Sequence, residues 1–432
     1  MITSKMRDFT TLTAIILVAV LITAPVANAT NGYFSSGYGT AYKGLAGAGV
    51  ALSLSSLGAA TNPASMVGLG NRYDLSVAYF NPNRNFTVDG NPSGFPGTFG
   101  LAPGTVESSS TTFIIPSLGF NRMLNETSSF GLSIYGNGGM NTDYETSVFL
   151  GTSPTGVDFA QLFIQPTYAI KLTSQHSVGA GVILAFQRFR AEGLGAFAPF
   201  SSDGANITDN DYSTSIGFGL KVGYLGELSE MLSVGASYQL KTAMSEFDEY
   251  AGLFAEQGDF DVPATWTAGV ALSPNDDITL VADVQQILYS GVASISNPFL
   301  QFDPATGAPT NPLGADNGAG FGWEDMTIIK IGIQYVMDES LTLRGGFSFG
   351  GQPIPDGDTS TALMFNILAP AVVETHISVG ATKTMNNGHA VSLAVTRALS
   401  NSISGPNPLE APSQQTITLE MDQWEVEVGY SF

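Results

Sequence analysis

The sequence predicts an all-β protein, a 14-stranded antiparallel transmembrane β-barrel that encloses a plug formed by its own N-terminal residues. Three observations carry this expectation. Charged residues are only 12 % of the 432-residue chain, about half the share of a soluble domain, so much of the surface faces something other than water. Beyond residue 29, no apolar run approaches the ~20 residues of a spanning helix. Period-two alternation recurs instead along most of the chain, and only helices and closed barrels satisfy the backbone within lipid.

Taken in order, the chain opens on a removable address. Lys5 and Arg7 precede the apolar run Leu12 to Ile22, and Ala27-Asn28-Ala29 supplies a small-x-small cleavage pattern, so residues 1–29 read as a secretory signal. The alternative is a single membrane anchor, for which the run is short. Loss of Lys5, Arg7 and Asp8 moves the formal charge from −22 to −23. A chain this acidic disfavours a nucleic-acid partner, which wants a basic face. There is no Cys, and His176, His376 and His389 are scattered, so neither a metal nor another cofactor is expected.

Residues 30–70 form the next element, TNGYFSSGYGTAYKGLAGAGVALSLSSLGAATNPASMVGLG. Each interior Gly costs a free helix roughly 1 kcal/mol against Ala, and the stretch is too apolar for a solvated linker. It keeps a shape only if enclosed, and residues 71–432 read as the enclosing wall.

Strands are predicted near 71–81, 111–122, 128–147, 160–173, 176–190, 211–228, 231–245, 262–273, 276–290, 323–337, 340–350, 372–386, 388–400 and 415–432. Short turns such as 173–175 alternate with long links such as 82–110, 191–210, 291–322 and 351–371. That pattern places the turns and both barrel ends in the periplasm. In the sixth strand Ile216, Phe218, Leu220, Val222 and Tyr224 face lipid, while Ser215, Gly217, Gly219, Lys221 and Gly223 face the lumen. Strict alternation also turns Lys241, Lys330 and Arg344 inward. Lys330 stands among the lipid-facing Ile329, Ile331 and Ile333; it either binds a carboxylate or pairs with Asp283 or Glu425. Arg188 and Arg190 point outward near the top of the fifth strand, where lipopolysaccharide phosphate is the expected partner.

The third strand, SSFGLSIYGNGGMNTDYETSVF, carries Gly136, Asn137, Gly138 and Gly139 mid-strand. Interior Gly marks bulges and bends, so this point is either a plain bulge or an interruption of pairing. The last strand alternates through Trp424, Val426, Val428 and Tyr430 to a terminal Phe432, which resembles the signal by which outer-membrane barrels are recognised by their assembly machinery. No enzymatic constellation emerges: the histidines lack Ser and acid partners, and Gly44 to Gly49 lacks both GxGxxG spacing and a preceding strand.

The N-terminal element is the most specific. Gly32-Tyr33-Phe34-Ser35-Ser36-Gly37-Tyr38-Gly39, then Ala41-Tyr42-Lys43-Gly44 and Asn62-Pro63-Ala64 resemble the hatch of the FadL family of outer-membrane long-chain fatty acid transporters, whose relatives take up aromatic hydrocarbons such as toluene. The resemblance implies a hatch–barrel channel in a Gram-negative outer membrane and passive uptake of long-chain fatty acids. It places a lateral opening at Gly136–Gly139, and with a fatty acid as cargo the inward Lys330 and Arg344 become candidates for its carboxylate. It also implies a capture groove between extracellular loops; Phe149, Leu150 and Phe159 of the third loop, with Phe163 following, and Leu253 and Phe254 either line that groove or pack the loops against each other. Aromatic or alkane hydrocarbons taken by the same route remain an alternative, as do a plugged hydrophilic porin and a structural surface barrel.

Overall fold

A computed structural model describes residues 31–432; the expected signal at 1–29, and Thr30, lie outside the described residues. Fourteen strands form the wall: β1 (Arg72–Asp89), β2 (Phe113–Asn125), β3 (Ser128–Tyr144), β4 (Thr155–Lys171), β5 (His176–Glu192), β6 (Ser213–Glu227), β7 (Leu232–Gln239), β8 (Thr265–Leu272), β9 (Ile278–Ile287), β10 (Met326–Asp338), β11 (Leu341–Gly350), β12 (Thr375–Thr384), β13 (Ala390–Pro406) and β14 (Thr416–Ser431). Each pairs antiparallel with its sequence neighbours, and β14 pairs with β1 to close the barrel. Closure removes the edge strands that would otherwise leave unpaired backbone in lipid.

The alternation sorts the faces as expected. Ile216, Phe218, Leu220 and Val222 are exposed on the outside, whereas Ser215 and Lys221 are buried on the inside. Several boundaries differ from expectation. The first strand continues to Asp89 because residues 82–89 keep their ladder with β14 and gain the short strand Gly104–Glu107, so the 82–110 link is not all loop. In β4, Thr155 begins the strand, which moves Phe159 and Ala160 from the loop into the wall. Conversely β7 stops at Gln239; Lys241 lies beyond its end, half-exposed rather than lumenal, with Nζ 2.7 Å from Asp261. Arg188 and Arg190 do lie on the outer face, but both stack over Tyr212, and Arg188 reaches Asp158 at 3.1 Å.

Residues 31–68 are enclosed by this wall and almost entirely buried. Lumen-facing glycines let the two approach: a Cβ at Gly179 would lie 2.4 Å from the Pro63 carbonyl carbon, and one at Gly346 only 2.1 Å from that of Leu45. Above this segment one large apolar cluster fills the extracellular half of the barrel. Inward strand residues and long-loop residues such as Phe197, Phe254, Phe299, Trp323 and Phe365 build it together.

Candidate functional site

The N-terminal segment is held mainly by side chains of the wall. Asn62 accepts the Ala64 N–H at 3.0 Å, capping the turn that begins at Pro63, and its Nδ2 donates to Val50 O (2.8 Å) and Tyr224 O (2.9 Å). That double use of one amide gives Asn62-Pro63-Ala64 a physical reason: Asn caps, Pro pre-sets the first turn, and Ala leaves room against the wall. Lys43 sits between Glu425 and Glu427 of β14, 2.7 Å from the latter, and Thr40 donates to Glu427 at 2.7 Å. Asp283 of β9 accepts the Gly49 and Val50 N–H groups at 2.7 and 2.9 Å, and Asp74 of β1 accepts from Ser56. Lys221 donates to Ala60 O.

The first residues of the segment meet the third strand at its glycines. The β3–β4 register shifts between Gly136 and Gly138, leaving Asn137 as the bulged residue. The bulge faces the N-terminal segment: Ser35 N–H donates to Asn137 O (2.9 Å), Gly139 N–H donates to Tyr33 O (3.0 Å), and Phe34 bridges Gly138. Tyr38 OH adds a bond to Asn137 Oδ1 at 2.7 Å, and its ring packs at a tilt against Tyr135 with centroids 4.7 Å apart. A Cβ on Gly138 would lie 2.2 Å from Tyr33 O, so the close approach needs Gly there.

Beside this bulge the wall is interrupted. The β2–β3 ladder ends at Leu118–Ile134; above it Phe113 to Ser117 pair with β1 alone, and Gly136 to Tyr144 with β4 alone. The two edges meet again higher up, where Ser109 N–H donates to Asp143 O (2.8 Å) and Ser110 to Asn141 Oδ1 (2.7 Å). The interval is covered by a separate apolar cluster of Ala78, Phe80, Phe113, Ile115 and Ala160, drawn from β1, β2 and β4 with no residue from β3. Inward-pointing Phe113 and Ile115 thus meet outward-pointing Ala160, so the β2 edge overlaps the kinked edge from outside. The seam is shut by side-chain packing where the rest of the wall is shut by hydrogen bonds.

Lys330 is buried and lumenal, but neither expected ion pair forms. Glu425 is taken by Lys43. Asp283 lies opposite Lys330 in the ladder, yet its carboxylate turns to Gly49 and Val50. Lys330 Nζ donates instead to Ser36 O (2.9 Å) and Gly47 O (3.4 Å). With Lys221, Thr265, Thr267, Gln239 and Gln285 it lines a small polar cavity of about 20 Å³ beside Phe34 and Tyr38, room for about one water until the N-terminal segment shifts. Gln239 Nε2 and Gln285 Oε1 have no partner there. Arg344 is not brought to this cavity: it lies four residues along β11 from the position opposite Lys330, about 13 Å along the strand toward the periplasm, and donates to Gln334 and Thr382.

Of the residues suited to an exposed groove, only Leu150 is exposed, at 64 %. Phe149 packs on Phe197, Phe163 on Tyr135, and Phe159 on Tyr33 and Phe260; Leu253 and Phe254 are buried as well. They form part of the interior instead. Tyr33 lies at its floor within 6.2 Å of five other rings, those of Phe34, Phe159, Phe260, Tyr289 and Trp323. Phe260 lay in a predicted loop, while Tyr289 and Trp323 fell at the ends of strands predicted over 276–290 and 323–337; the observed strands stop at Ile287 and start at Met326, which frees both rings for the interior. Among the described residues no His, Asp and Glu grouping suits a metal.

A family model described as outer membrane protein transport protein (OMPP1/FadL/TodX) matches residues 16–419. A search of curated protein sequences found no match. Among solved structures, the toluene transporter TodX of Pseudomonas putida superposes with a TM-score of 0.64 at 18 % identity, covering 92 % of this chain and 98 % of that one. A FadL homologue of Pseudomonas aeruginosa gives 0.67 at 16 % identity, covering 93 % and 99 %. The toluene transporter TbuX of Ralstonia pickettii gives 0.59 at 16 %, covering 92 % and 98 %. At these identities the likeness is one of fold.

Proposed function

The chain belongs to the OMPP1/FadL/TodX family of outer-membrane transport proteins, and from that premise we propose that it is a passive channel for hydrophobic compounds, long-chain fatty acids first among them. It is a transport barrel of the Gram-negative outer membrane and not an enzyme. Ligand enters the apolar interior from the extracellular side and settles above residues 31–68, which act as the hatch. It then leaves sideways between β2 and β3. The interrupted ladder from Ser117 and Tyr135 upward is the observation that carries this reading. Downward exit into water would cost about 0.8 kcal/mol per CH₂, on the order of 12 kcal/mol for a sixteen-carbon chain, whereas exit into the bilayer avoids most of it.

The fatty acid reading rests on the cavity beside Phe34. Lys330 has three donors and spends two on hatch carbonyls, so one remains for a carboxylate. Replacing Lys330 by Met should weaken oleate binding by the ~1.5–3 kcal/mol of a hydrogen bond to a charged group and leave an alkane of equal length unaffected. Equal losses would assign Lys330 to holding the hatch. Aromatic hydrocarbon as cargo is the second reading, supported by the rings gathered around Tyr33 and by the toluene-transporter neighbours. Mass spectrometry of ligand extracted from the purified protein separates the two. The ladder ending in Phe432 supports insertion by the barrel assembly machinery, and Arg190 supports a lipopolysaccharide contact.

A further inference from the structure

Arg84 is a buried cation without a counter-ion. It stands on the inward face of β1 at 4 % exposure, two inward positions above Phe80 of the seam cluster. Its Nη1 donates to Ser110 O at 3.1 Å and to Asn141 O, one acceptor from each edge of the interrupted wall. Nη2 is buried with no partner, and no carboxylate pairs with the guanidinium among the described residues. Met421 faces it across the ladder with β14, and Phe86 follows it on the inner face, packed on Tyr144. The acids Asp158 and Asp422 on the outer face are already held, the first by Arg188, Tyr212 and Asn141, the second by Arg397 and Asn83. An unpaired charge is costly to bury, so a guanidinium with open donors at this point fits an anion that is not part of the chain.

The height of Arg84 narrows that anion to one end of an amphiphile. The outward row of β1 runs through the exposed Leu75, Val77 and Tyr79 and then turns to Asn81, Asn83 and Asn85. Trp424 stands opposite Asn81 in the ladder, so Tyr79 and Trp424 mark the extracellular membrane–water boundary. Arg84 is three residues above Asn81, about 8 Å along the membrane normal after strand tilt, which is headgroup height. From there the seam leads down into the apolar band past Phe113, Phe80, Ile115 and Ala160. An acid with an alkyl tail that slides sideways through this seam keeps its tail in hydrocarbon and carries its carboxylate to the level of Arg84. A planar guanidinium is the donor best matched to that group.

We propose that Arg84 is a carboxylate-binding site at the top of the lateral exit: a leaving alkyl acid pairs with Nη2 while its chain parts the seam below, and between passages the same cation clips Ser110 to Asn141. The site rests on the sideways exit and is separate from Lys330. Arg84→Gln keeps two N–H groups for the two carbonyls and loses the charge. In cells carrying the full chain in their outer membrane, that variant is expected to lower oleate uptake about tenfold and to leave oleyl alcohol uptake unchanged. Equal effects on acid and alcohol, or none on either, overturn the site. The native chain gives a second reading: a fatty acid with a photoreactive diazirine beside its carboxylate should label residues 108–111 and 140–143, and labelling confined to other residues overturns the site as well. A disulfide between Ile115→Cys and Ala160→Cys separates this site from the exit it serves. A locked chain that still takes up both probes overturns the exit and the site together; one that takes up neither keeps the exit, and Arg84→Gln then decides the site alone.

Discussion

The barrel has two junctions that do opposite jobs. Where β14 meets β1, sixteen consecutive residue pairs run unbroken from Asp74–Ser431 to Asp89–Thr416. Where β2 meets β3, pairing stops at Leu118–Ile134 and five side chains from other strands cover the interval. Both junctions touch the N-terminal segment, the first through Thr40 and Lys43, the second through Tyr33, Ser35 and Tyr38. A ladder can open only by losing hydrogen bonds in lipid, each costly. A packed seam opens by exchanging one apolar contact for another, with ligand or lipid as the replacement.

Cross-linking is the strongest way to break that contrast, and a chain without Cys is suited to it. Ile115→Cys with Ala160→Cys, oxidised across the seam, should lower uptake of an apolar probe into vesicles more than tenfold, with recovery on reduction. The same pair of cysteines at Val77 and Val428, which already face each other in the closed ladder, should leave uptake unchanged; equal effects at both junctions would mean that ligand leaves elsewhere. Next in size, Lys43→Met strands two buried carboxylates, and removing one partner of a buried charge set costs ~3–5 kcal/mol. Hydrogen exchange should then rise across residues 40–50, and bilayer recordings should show ion leaks that the native channel lacks. Tyr38→Phe removes one bond to the bulge and should cost about 1 kcal/mol, read as faster exchange at Gly138 and Gly139 with residues 40–50 unaffected.

The smallest effect is one of pH, in the loop that carries Phe260 onto Tyr33. Burial, with Asp261 beside it, pushes the Asp259 carboxyl up to about 7. An acid whose folded pKa is raised binds its proton more tightly in the folded loop, so stability is lost as pH rises from about 4 to 7. Protection factors in residues 248–262, which remove the intrinsic base catalysis of exchange, should be higher at pH 5 than at pH 8, and Asp259→Asn should flatten that difference.

The wall was legible because its signal is local: alternation and turn chemistry gave the fourteen wall strands, though not all of their ends nor the short strand Gly104–Glu107, and three glycines marked the bulge. What escaped was set by context. Pro82, Asn83 and Asn85 read as loop residues, yet β14 continues beside them and Arg84 turns inward to reach Ser110 O at 3.1 Å. Alternation turned Lys330 inward, but its acceptors are carbonyls of a segment without regular structure, and such acceptors leave no mark on the sequence. The seam cluster was invisible for a further reason. It joins β2 to β4 past the strand between them, and sequence order assigns neighbours only one strand apart. Whether Phe149 and Phe159 lined a groove or packed inward stayed open, because a loop aromatic looks the same whether it greets solvent or folds back into the interior.

The bond between Thr40 and Glu427 spans 387 positions of the chain, and that between Lys43 and Glu425 spans 382. Contacts so distant form late, since loop closure is costly until the intervening structure exists. The acceptors for Lys43 lie on β14, the strand that closes the barrel against β1, so residues 40–43 have no place to dock until that strand is laid down. The docking contacts of Thr40 and Lys43 are thereby tied to closure of the circle of strands, because both take their partners from the strand that completes it.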